Sequence, residues 1–447
     1  MERTAYQQLL RWKQSAHRKP LVVRGARQIG KTWLLQEFGR REYRYVAYLR
    51  CDNDPLAASV FEDYDVRRML LVIESLTHVP IVEGETLIIL DEVQEVPRGL
   101  HALKYLCEEA SGHHVAVAGS LLGLLLHPGE SFPVGKVDFL TMGPMTFPEF
   151  LSAVGESELC RHVEDRAWDV LTILHPRLVG LLRQYYYVGG MPAAVLAFAE
   201  GQGLQAVRTV QQSILEAYRL DISKHAPPRE VLRIQQVLAS IPAHLARENK
   251  KFVYGAVRKG ARAADFELAI QWLVDAGVVH KVTRVKSGLA PLQVYEDMEA
   301  FKLYLLDCGL LGAMCETDAR DVLTGDSILR EYKGAFTESY VLQQLLTAPS
   351  LPRLFYYSTE GSAVEVDYVC RMRGRVLPIE VKAEENLRSK SLRRFVEEYG
   401  VAHAVRVSMS PYKEQDWMTN VPLYGVLPYF ASLTTDTAEQ ETKLHTQ

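Results

Sequence analysis

The residues best suited to chemistry form the octapeptide Gly25–Thr32 (Gly-Ala-Arg-Gln-Ile-Gly-Lys-Thr), which fits the phosphate-binding pattern G-x-x-x-x-G-K-[ST]. The apolar run Pro20–Val23 before it predicts a buried strand, and Trp33–Phe38 after it predicts the start of a helix. A turn between a strand and a helix directs backbone N–H groups and the positive helix end at one point. This context predicts a site for the phosphates of a nucleoside triphosphate.

The side chains of Lys31 and Thr32 have separate expected roles in this site. The Lys31 ammonium group would reach the β- and γ-phosphates, and the Thr32 hydroxyl would hold Mg²⁺. The residues predicted to bind the nucleotide are Gly25, Ala26, Arg27, Gln28, Ile29, Gly30, Lys31, Thr32 and Trp33.

An acidic pair, Asp91 and Glu92, follows the run Glu85–Leu90, whose apolar residues predict a strand buried on both faces. Asp91 suits a ligand that holds Mg²⁺ through water, and Glu92 can orient and deprotonate the water that attacks the γ-phosphate. Ser120 follows a third predicted strand and could hydrogen-bond the γ-phosphate or this water; an ordinary turn serine is the alternative. The predicted catalytic residues are Glu92, Lys31 and Ser120, and the predicted metal ligands are Thr32 and Asp91.

A second group of charged residues lies where a helix and core strands are predicted. Glu338 belongs to the helical pattern Tyr332–Leu346, and Asp367 and Glu380 lie in apolar runs typical of strands. Lys382, two residues after Glu380, points to the same strand face. These are the parts of a metal-dependent phosphodiesterase in which Asp367 and Glu380 hold Mg²⁺, with Glu338 and Lys382 in support. The alternative is a simple ion pair between Glu380 and Lys382 on a solvated strand face.

The elements that must position the first group alternate between strand and helix patterns. Strands are predicted at 20–23, 44–49, 86–90, 114–118 and 137–140. Apolar residues recur at helical spacing between them, for example from Val66 to Leu76. The alternation predicts an α/β fold with a parallel sheet covered on both faces. The carboxyl ends of parallel strands face one crevice, so Gly25–Thr32, Asp91 and Ser120 are expected to meet there.

The chain after this sheet has a different pattern. Residues 144–227 are predicted to be helical, with a strong stop at Gly189–Pro192, and suit a helical lid beside the nucleotide. Residues 228–300 show three short helical patterns and two alternating runs, typical of a winged helix, a module that binds either DNA or proteins. Residues 301–431 form a last α/β unit, and the polar tail 432–447 is predicted to be disordered.

The composition restricts the class of protein. A chain of 447 residues is too long for one core and predicts several domains. The net charge of −4 creates no global basic field, so any nucleic-acid surface must be local. Six cysteines without C-x-x-C spacing indicate reduced thiols in the cytoplasm rather than disulfides or a zinc site. No apolar run reaches the ~18 residues of a membrane span.

Together these motifs resemble prokaryotic ATPases that pair an AAA-type domain with the domain of unknown function 4143. The marks are Val23–Thr32, Leu90–Gln94, Ala118–Ser120, Pro144–Leu151, Gly189–Pro192, Leu303–Leu310, Glu365–Tyr368 and Pro378–Lys382. The resemblance implies an AAA-type P-loop ATPase core at residues 1–143, ATP as the nucleotide, a winged-helix region, and a C-terminal domain resembling PD-(D/E)xK nucleases. AAA-type relatives often form rings, so the resemblance is compatible with a homo-oligomer. The sequence does not indicate the number of subunits.

The leading hypothesis is a cytoplasmic, Mg²⁺-dependent ATPase that engages DNA or RNA through its winged-helix and nuclease-like domains. The alternative is an ATP-driven switch or scaffold that binds protein partners and has an inactive nuclease-like domain. Contacts to phosphates would make binding strongly salt-dependent, which separates the two hypotheses.

Overall fold

The computed structural model describes residues 2–52, 55–119, 132–324, 330–348, 351–362, 364–383 and 389–434. The chain divides into two compact units, one of residues 1–143 with 275–277 and one of residues 144–274 with 278–447. Residues 426–434 are helical, and the rest of the predicted tail lies outside the described residues. Within these ranges, no helix is both long enough and apolar enough to cross a membrane.

A five-stranded parallel sheet forms the centre of the first unit. Its strands are β1 (Leu21–Arg24), β2 (Tyr45–Arg50), β3 (Thr86–Asp91), β4 (His114–Gly119) and β5 (Asp138–Thr141). Their order across the sheet is β2-β3-β4-β1-β5. Every residue of β3 and β4 is buried, as expected for strands covered on both faces. The predicted α/β class and parallel sheet are confirmed.

Among the described residues of the first unit, five α-helices accompany this sheet. They are α1 (Ala5–Gln14), α2 (Lys31–Glu42), α3 (Ala57–Val60), α4 (Val66–Thr77) and α5 (Gly99–Glu109). The start of α4 is capped by the Asp65 carboxylate, which accepts a hydrogen bond from the Arg68 N–H at 3.0 Å. Its residues Val66, Met69 and Ile73 are buried at helical spacing and join the core of the unit.

The second unit begins with a series of helices. They are α6 (Phe147–Ala153), α7 (Ser157–Glu164), α8 (Trp168–Ile173), α9 (His175–Val188), α10 (Pro192–Ala199), α11 (Leu204–His225), α12 (Val231–Leu245), α13 (Tyr254–Val257) and α14 (Ala263–Asp275). Helix α6 starts with a reciprocal capping box between Thr146 and Glu149. The helical region predicted after the sheet is therefore present.

A mixed eight-stranded sheet and further helices complete the second unit. The strands are β6 (Val279–Val285), β7 (Glu296–Leu305), β8 (Phe355–Ser358), β9 (Glu365–Met372), β10 (Arg375–Val381), β11 (Ala404–Ser408), β12 (Lys413–Glu414) and β13 (Met418–Pro422). The helices are α15 (Cys308–Met314), α16 (Ala319–Thr324), α17 (Arg330–Leu345) and α18 (Lys390–Tyr399). The order across the sheet is β12-β13-β11-β10-β9-β8-β6-β7.

The two strands predicted as a wing are part of this larger sheet. β6 pairs antiparallel with β7 and parallel with β8, where Thr283 lies opposite Phe355. The domain boundary predicted at residue 300 falls inside β7, so strands on both sides of that boundary share one ladder of hydrogen bonds.

Buried Asp307 connects the helical region to the rest of the second unit. Its carboxylate accepts hydrogen bonds from the Gly190 N–H at 2.6 Å, the Leu310 N–H at 2.9 Å and the Gln343 side chain at 3.0 Å. A Cβ atom on Gly189, which has φ +74°, would lie 2.2 Å from this carboxylate. The Gly-Gly-Met-Pro stop therefore leaves room for the acidic cap of a later helix.

Candidate functional site

The phosphate-binding loop connects β1 to α2 within the first unit. Gly25 has φ +145°, and a Cβ atom there would lie 2.2 Å from the carbonyl oxygen of Met142, so only glycine fits. Gly30 has φ 88°, and α2 begins with Lys31. The loop thus ends at a helix N-terminus, whose N–H groups lack intrahelical acceptors and attract anions.

Lys31 folds back onto this loop. Its side chain is 6% exposed, and its Nζ donates to the carbonyl oxygens of Gly25 at 3.0 Å and Ala26 at 2.8 Å. Burial lowers the pKa of Lys31 to about 8, although the carboxylates of Glu92 and Asp91 oppose that shift. A cation held by two neutral carbonyls is well placed to exchange them for phosphate oxygens.

Asp91 lies at the carboxyl end of β3 and reaches the loop. The Thr32 hydroxyl lies 3.0 Å from both of its carboxylate oxygens, and Tyr48 on β2 donates to Oδ2 at 2.8 Å. Burial raises the pKa of Asp91, and the hydrogen bonds from Tyr48 and Thr32 oppose that rise. The two predicted metal ligands are therefore in direct contact across 59 residues of sequence.

Glu92 directly follows the strand in a left-handed conformation, with φ 52°. Its backbone N–H donates to the Ala118 carbonyl at the end of β4, at 2.7 Å. Its carboxylate accepts a hydrogen bond from the Gln94 amide. The β3 and β4 ends therefore hold Glu92 beside Asp91, which suits a general base. Ser120, predicted to assist it, lies outside the described residues.

The other predicted nucleotide contacts differ in exposure. Ala26 and Ile29 are buried, so their contribution to the site is that of the backbone. Arg27 and Gln28 are exposed, and Trp33 keeps 46% of its surface exposed. An exposed indole beside the loop is free to contact a bound nucleotide.

Two residues that support the site were not predicted from the sequence. Buried Arg3 donates to the Ile29 carbonyl at 3.0 Å and to the Gly143 carbonyl at 2.7 Å, and so fixes the loop from the N-terminal segment. Tyr48 positions Asp91, as described above. Arg3 precedes the first helix without any motif, so no sequence signal marks it. Tyr48 lies in the predicted strand 44–49 of the same sheet as Asp91. Its hydroxyl, a hydrogen-bond donor near the end of that strand, is the sequence signal that could have identified it.

ATP binding is expected to take up a proton at alkaline pH. Below about pH 8 the Lys31 ammonium is already present in the nucleotide-free protein. Above that pH the neutral amine must regain a proton to meet the phosphates, so affinity falls up to about tenfold per pH unit. Calorimetry in two buffers of different ionisation enthalpy should show little proton uptake at about pH 7 and close to one proton at about pH 9. Equal uptake at both pH values would contradict the assignment.

A second charged cluster lies within the second unit, around Glu338 of α17. Glu338 Oε1 is 2.6 Å from the Lys250 ammonium, and Oε2 accepts a hydrogen bond from the Tyr304 hydroxyl at 3.1 Å. Lys302, which is completely buried, lies 2.5 Å from Glu365 and 3.9 Å from Glu338. Burial alone would raise the pKa of Glu338, but the two ammonium groups lower it overall.

Asp367 and Glu380 lie on the neighbouring strands β9 and β10. These strands pair antiparallel as far as Tyr368 and Ile379, and Asp367 and Glu380 are the next residues beyond that pair. Asp367 Oδ2 accepts a hydrogen bond from the Val381 N–H at 2.7 Å. Burial raises the pKa of Asp367 well above its usual range, and neighbouring carboxylates raise it further.

Glu380 has two cationic neighbours. The Lys382 ammonium lies 2.6 Å from its Oε1, and Arg406 is its register partner on β11. Burial raises the pKa of Glu380, and Lys382 opposes that rise. Oε2 is buried and accepts no hydrogen bond within the described residues. The predicted same-face pair of Glu380 and Lys382 is thus in contact, with Glu380 buried and 35% of the Lys382 side chain exposed.

The cluster does not fit the divalent cation that its pattern implies. Among the described residues, no group of three or more His, Cys, Asp or Glu side chains could hold a metal ion. Both carboxylate oxygens of Glu338 already have partners, and Lys302 and Lys250 place positive charge among the acidic groups. The second metal site predicted at Asp367 and Glu380 therefore lacks a suitable set of ligands in this arrangement.

The first unit, with its parallel sheet, phosphate loop and acidic strand end, defines a P-loop ATPase domain of the AAA type. Residues 17–151 match the family model of an AAA domain. Residues 179–321 and 333–425 match two domains of unknown function, DUF8612 and DUF4143. The chain therefore combines an AAA domain with DUF8612 and DUF4143 domains. The predicted pairing of an AAA-type domain with DUF4143 is confirmed, whereas the DUF8612 match was not predicted.

Several solved structures are similar to this chain. The Walker-type ATPase PABY2304 of Pyrococcus abyssi is 14% identical, over 70% of this chain and 95% of that one, with a TM-score of 0.44. The ORC1 protein of Aeropyrum pernix, solved in complex with DNA, is 13% identical over 71% and 93%, with a TM-score of 0.29. The RuvB Holliday junction branch migration motor of Thermotoga maritima is 12% identical over 63% and 89%, with a TM-score of 0.29. No curated protein matches the sequence.

Proposed function

We propose that this protein is a Mg²⁺-dependent ATP hydrolase. The observation that carries the proposal is the direct contact between Thr32 at the start of α2 and Asp91 at the end of β3, beside the Lys31 ammonium. A hydroxyl and a carboxylate in contact next to a helix N-terminus are the groups that Mg²⁺-nucleotide binding requires.

Each residue has one role in this proposal. Lys31 releases the loop carbonyls and binds the β- and γ-phosphates, while the loop N–H groups bind the remaining phosphate oxygens. Thr32 and Asp91, which Tyr48 keeps in position, would hold Mg²⁺. The cation, when bound, offsets the charge of the phosphates. Glu92 orients the attacking water and accepts its proton.

In this proposal, the Ser120 hydroxyl donates a hydrogen bond to the γ-phosphate or to the attacking water. Release of inorganic phosphate from ATP tests the whole proposal. Turnover should require Mg²⁺ and stop when a chelator removes it. A purified chain that binds ATP with Mg²⁺ and never releases phosphate would contradict hydrolysis but not nucleotide binding.

For the second unit we propose engagement of nucleic acid, through a winged helix that extends from residue 228 to the end of β7 at Leu305 and a nuclease-like domain that shares its sheet, after a helical lid at 144–227. Helices α12 to α14 followed by β6 and β7 support the winged-helix order of elements. Arg258, Lys259 and Arg262 are exposed in the turn before α14. Three exposed cations in one turn supply a local surface for phosphates.

Nucleic-acid binding is expected to weaken steeply with salt and to depend on this turn. A mobility-shift titration with DNA and RNA would give the slope of log affinity against log salt. Each phosphate contact contributes about −0.9 to that slope for duplex DNA, so the triple variant Arg258→Gln/Lys259→Gln/Arg262→Gln should reduce its magnitude by up to about 3.

The control for this measurement is a triple variant with the same change of charge. Arg40→Gln/Arg41→Gln/Arg44→Gln removes three cations whose side chains are 70%, 51% and 68% exposed in the first unit. It should bind nucleic acid like the parent. If the parent binds neither DNA nor RNA at low salt, the proposal for the second unit fails while the ATPase proposal stands.

The second candidate function is an ATP-driven switch or scaffold that binds protein partners, with a nuclease-like domain that cuts nothing. The cationic neighbours of the acidic cluster favour this candidate over an active nuclease. The switch or scaffold function predicts that the ATP-bound and ATP-free proteins bind different sets of partner proteins. It also predicts that the protein has no salt-dependent affinity for nucleic acid.

A further inference from the structure

The acidic cluster of the second unit has its own cations. Four carboxyl groups belong to it, and four basic side chains lie beside them, so the formal charges cancel. The carboxyl groups are those of Glu338, Glu365, Asp367 and Glu380, and the basic side chains are those of Lys250, Lys302, Lys382 and Arg406.

Three of these cations, Lys250, Lys302 and Arg406, are additional to the E-x-K pattern, and two of them contact Glu338. Lys302 projects from β7, has no exposed surface, and lies 4.8 Å from the centre of the Tyr356 ring. Lys250 comes from the segment between α12 and α13, where its backbone is left-handed with φ 49°. Its side chain is only 14% exposed because the ammonium is directed at Glu338.

The carboxylate oxygens are also largely engaged. Glu338 uses one oxygen for Lys250 and the other for Tyr304, Asp367 uses one for a backbone N–H, and Glu380 uses one for Lys382. Four of the six oxygens on these three groups thus have partners. A divalent cation would have to displace these contacts and would add two positive charges beside the Lys250 and Lys302 ammonium groups.

We infer that the ammonium groups of Lys250 and Lys302 take the place of a divalent cation, so that this cluster is a metal-free, ion-paired core. The inference rests on the proposed nuclease-like fold of the domain, since that fold is what implies the metal. It explains why so many charged groups are buried together, because each carboxylate gains a partner from the protein itself.

The first test measures Mn²⁺ binding to the full chain without nucleotide, by the electron paramagnetic resonance signal of free Mn²⁺. The parent and the variant Asp367→Asn/Glu380→Gln should bind the same amount, because neither has a metal in the cluster. Loss of about one bound Mn²⁺ per chain in the variant would overturn the inference. Because nucleotide is absent, this result is independent of ATP hydrolysis and of nucleic-acid binding.

A second test removes one internal cation. Lys250→Met leaves Glu338 partly unpaired, so its thermal unfolding midpoint should fall by at least about 5 °C in chelator. Adding Mn²⁺ should raise the unfolding midpoint of Lys250→Met by more than it raises the midpoint of the parent or of the control variant Lys251→Met. Equal effects of Mn²⁺ on all three proteins would mean that Lys250 does not stand in for a cation.

Discussion

Replacing Lys31 by alanine is expected to abolish measurable ATP binding. The ammonium is the cation that meets the β- and γ-phosphates, and it already lies against the loop at 3.0 Å from Gly25 and 2.8 Å from Ala26. Hydrogen bonds to charged groups contribute about 1.5–3 kcal/mol each, so two of them account for at least ~10²-fold in affinity. Calorimetry with ATP and Mg²⁺ measures the loss directly.

The matched control for Lys31 is Lys104→Ala, which removes an ammonium from α5 that packs on the Tyr105 ring instead of on the loop. This variant should bind ATP like the parent. Unchanged ATP affinity in Lys31→Ala, with the fold intact by circular dichroism, would refute the site assignment.

Glu92→Gln should leave ATP bound but slow hydrolysis at least ~10²-fold, the scale of one general base. The amide keeps the size of the side chain and its position at the end of β3, and it removes the group that accepts the proton. Single-turnover phosphate release separates this effect from binding. Glu95→Gln, in the same turn (Val93–Glu95), is the control and should hydrolyse ATP normally. Turnover at the parent rate in Glu92→Gln would place the base elsewhere.

Asp91→Asn should affect the binding of Mg²⁺ and nucleotide, whereas Glu92→Gln should affect the rate of hydrolysis. Asp91 contacts Thr32 and Tyr48, so loss of its charge should weaken Mg²⁺ dependence and nucleotide binding together. Titrations of Mg²⁺ at fixed ATP would resolve the two variants. Identical Mg²⁺ dependence in both would argue against separate roles for the neighbouring carboxylates.

Much of the first unit could be predicted because local pattern determines it. Strands such as β3 and β4 are continuous apolar runs, and their buried positions agree with the predicted ones within one residue at each end. The loop pattern places Lys31 and Thr32 at a helix start. Arg3 could not be found in this way, because its contacts with Ile29 and Gly143 join segments that are distant in sequence.

The second unit was harder to predict because its sheet is assembled from distant segments. The sequence pattern did not indicate that β9, which carries Asp367, and β10, which carries Glu380, are neighbouring strands, whereas the structure pairs these strands antiparallel. Lys250 and Lys302 were not expected in the cluster, since nothing in their local sequence points to Glu338. The Lys250 ammonium is buried against the Glu338 carboxylate, which is 88 residues away in the sequence.

The pairing of β6 with β8 bears on where this protein can be divided. The DUF4143 match starts at residue 333, after β6 and β7, yet β8 has β6 as its neighbour on one side. A fragment made from the DUF4143 region alone would leave the backbone hydrogen-bonding groups of β8 unpaired along that edge. An unpaired strand edge promotes aggregation. The segment that matches DUF4143 is therefore smaller than the compact unit to which it belongs, and expression studies should keep residues 144–434 together.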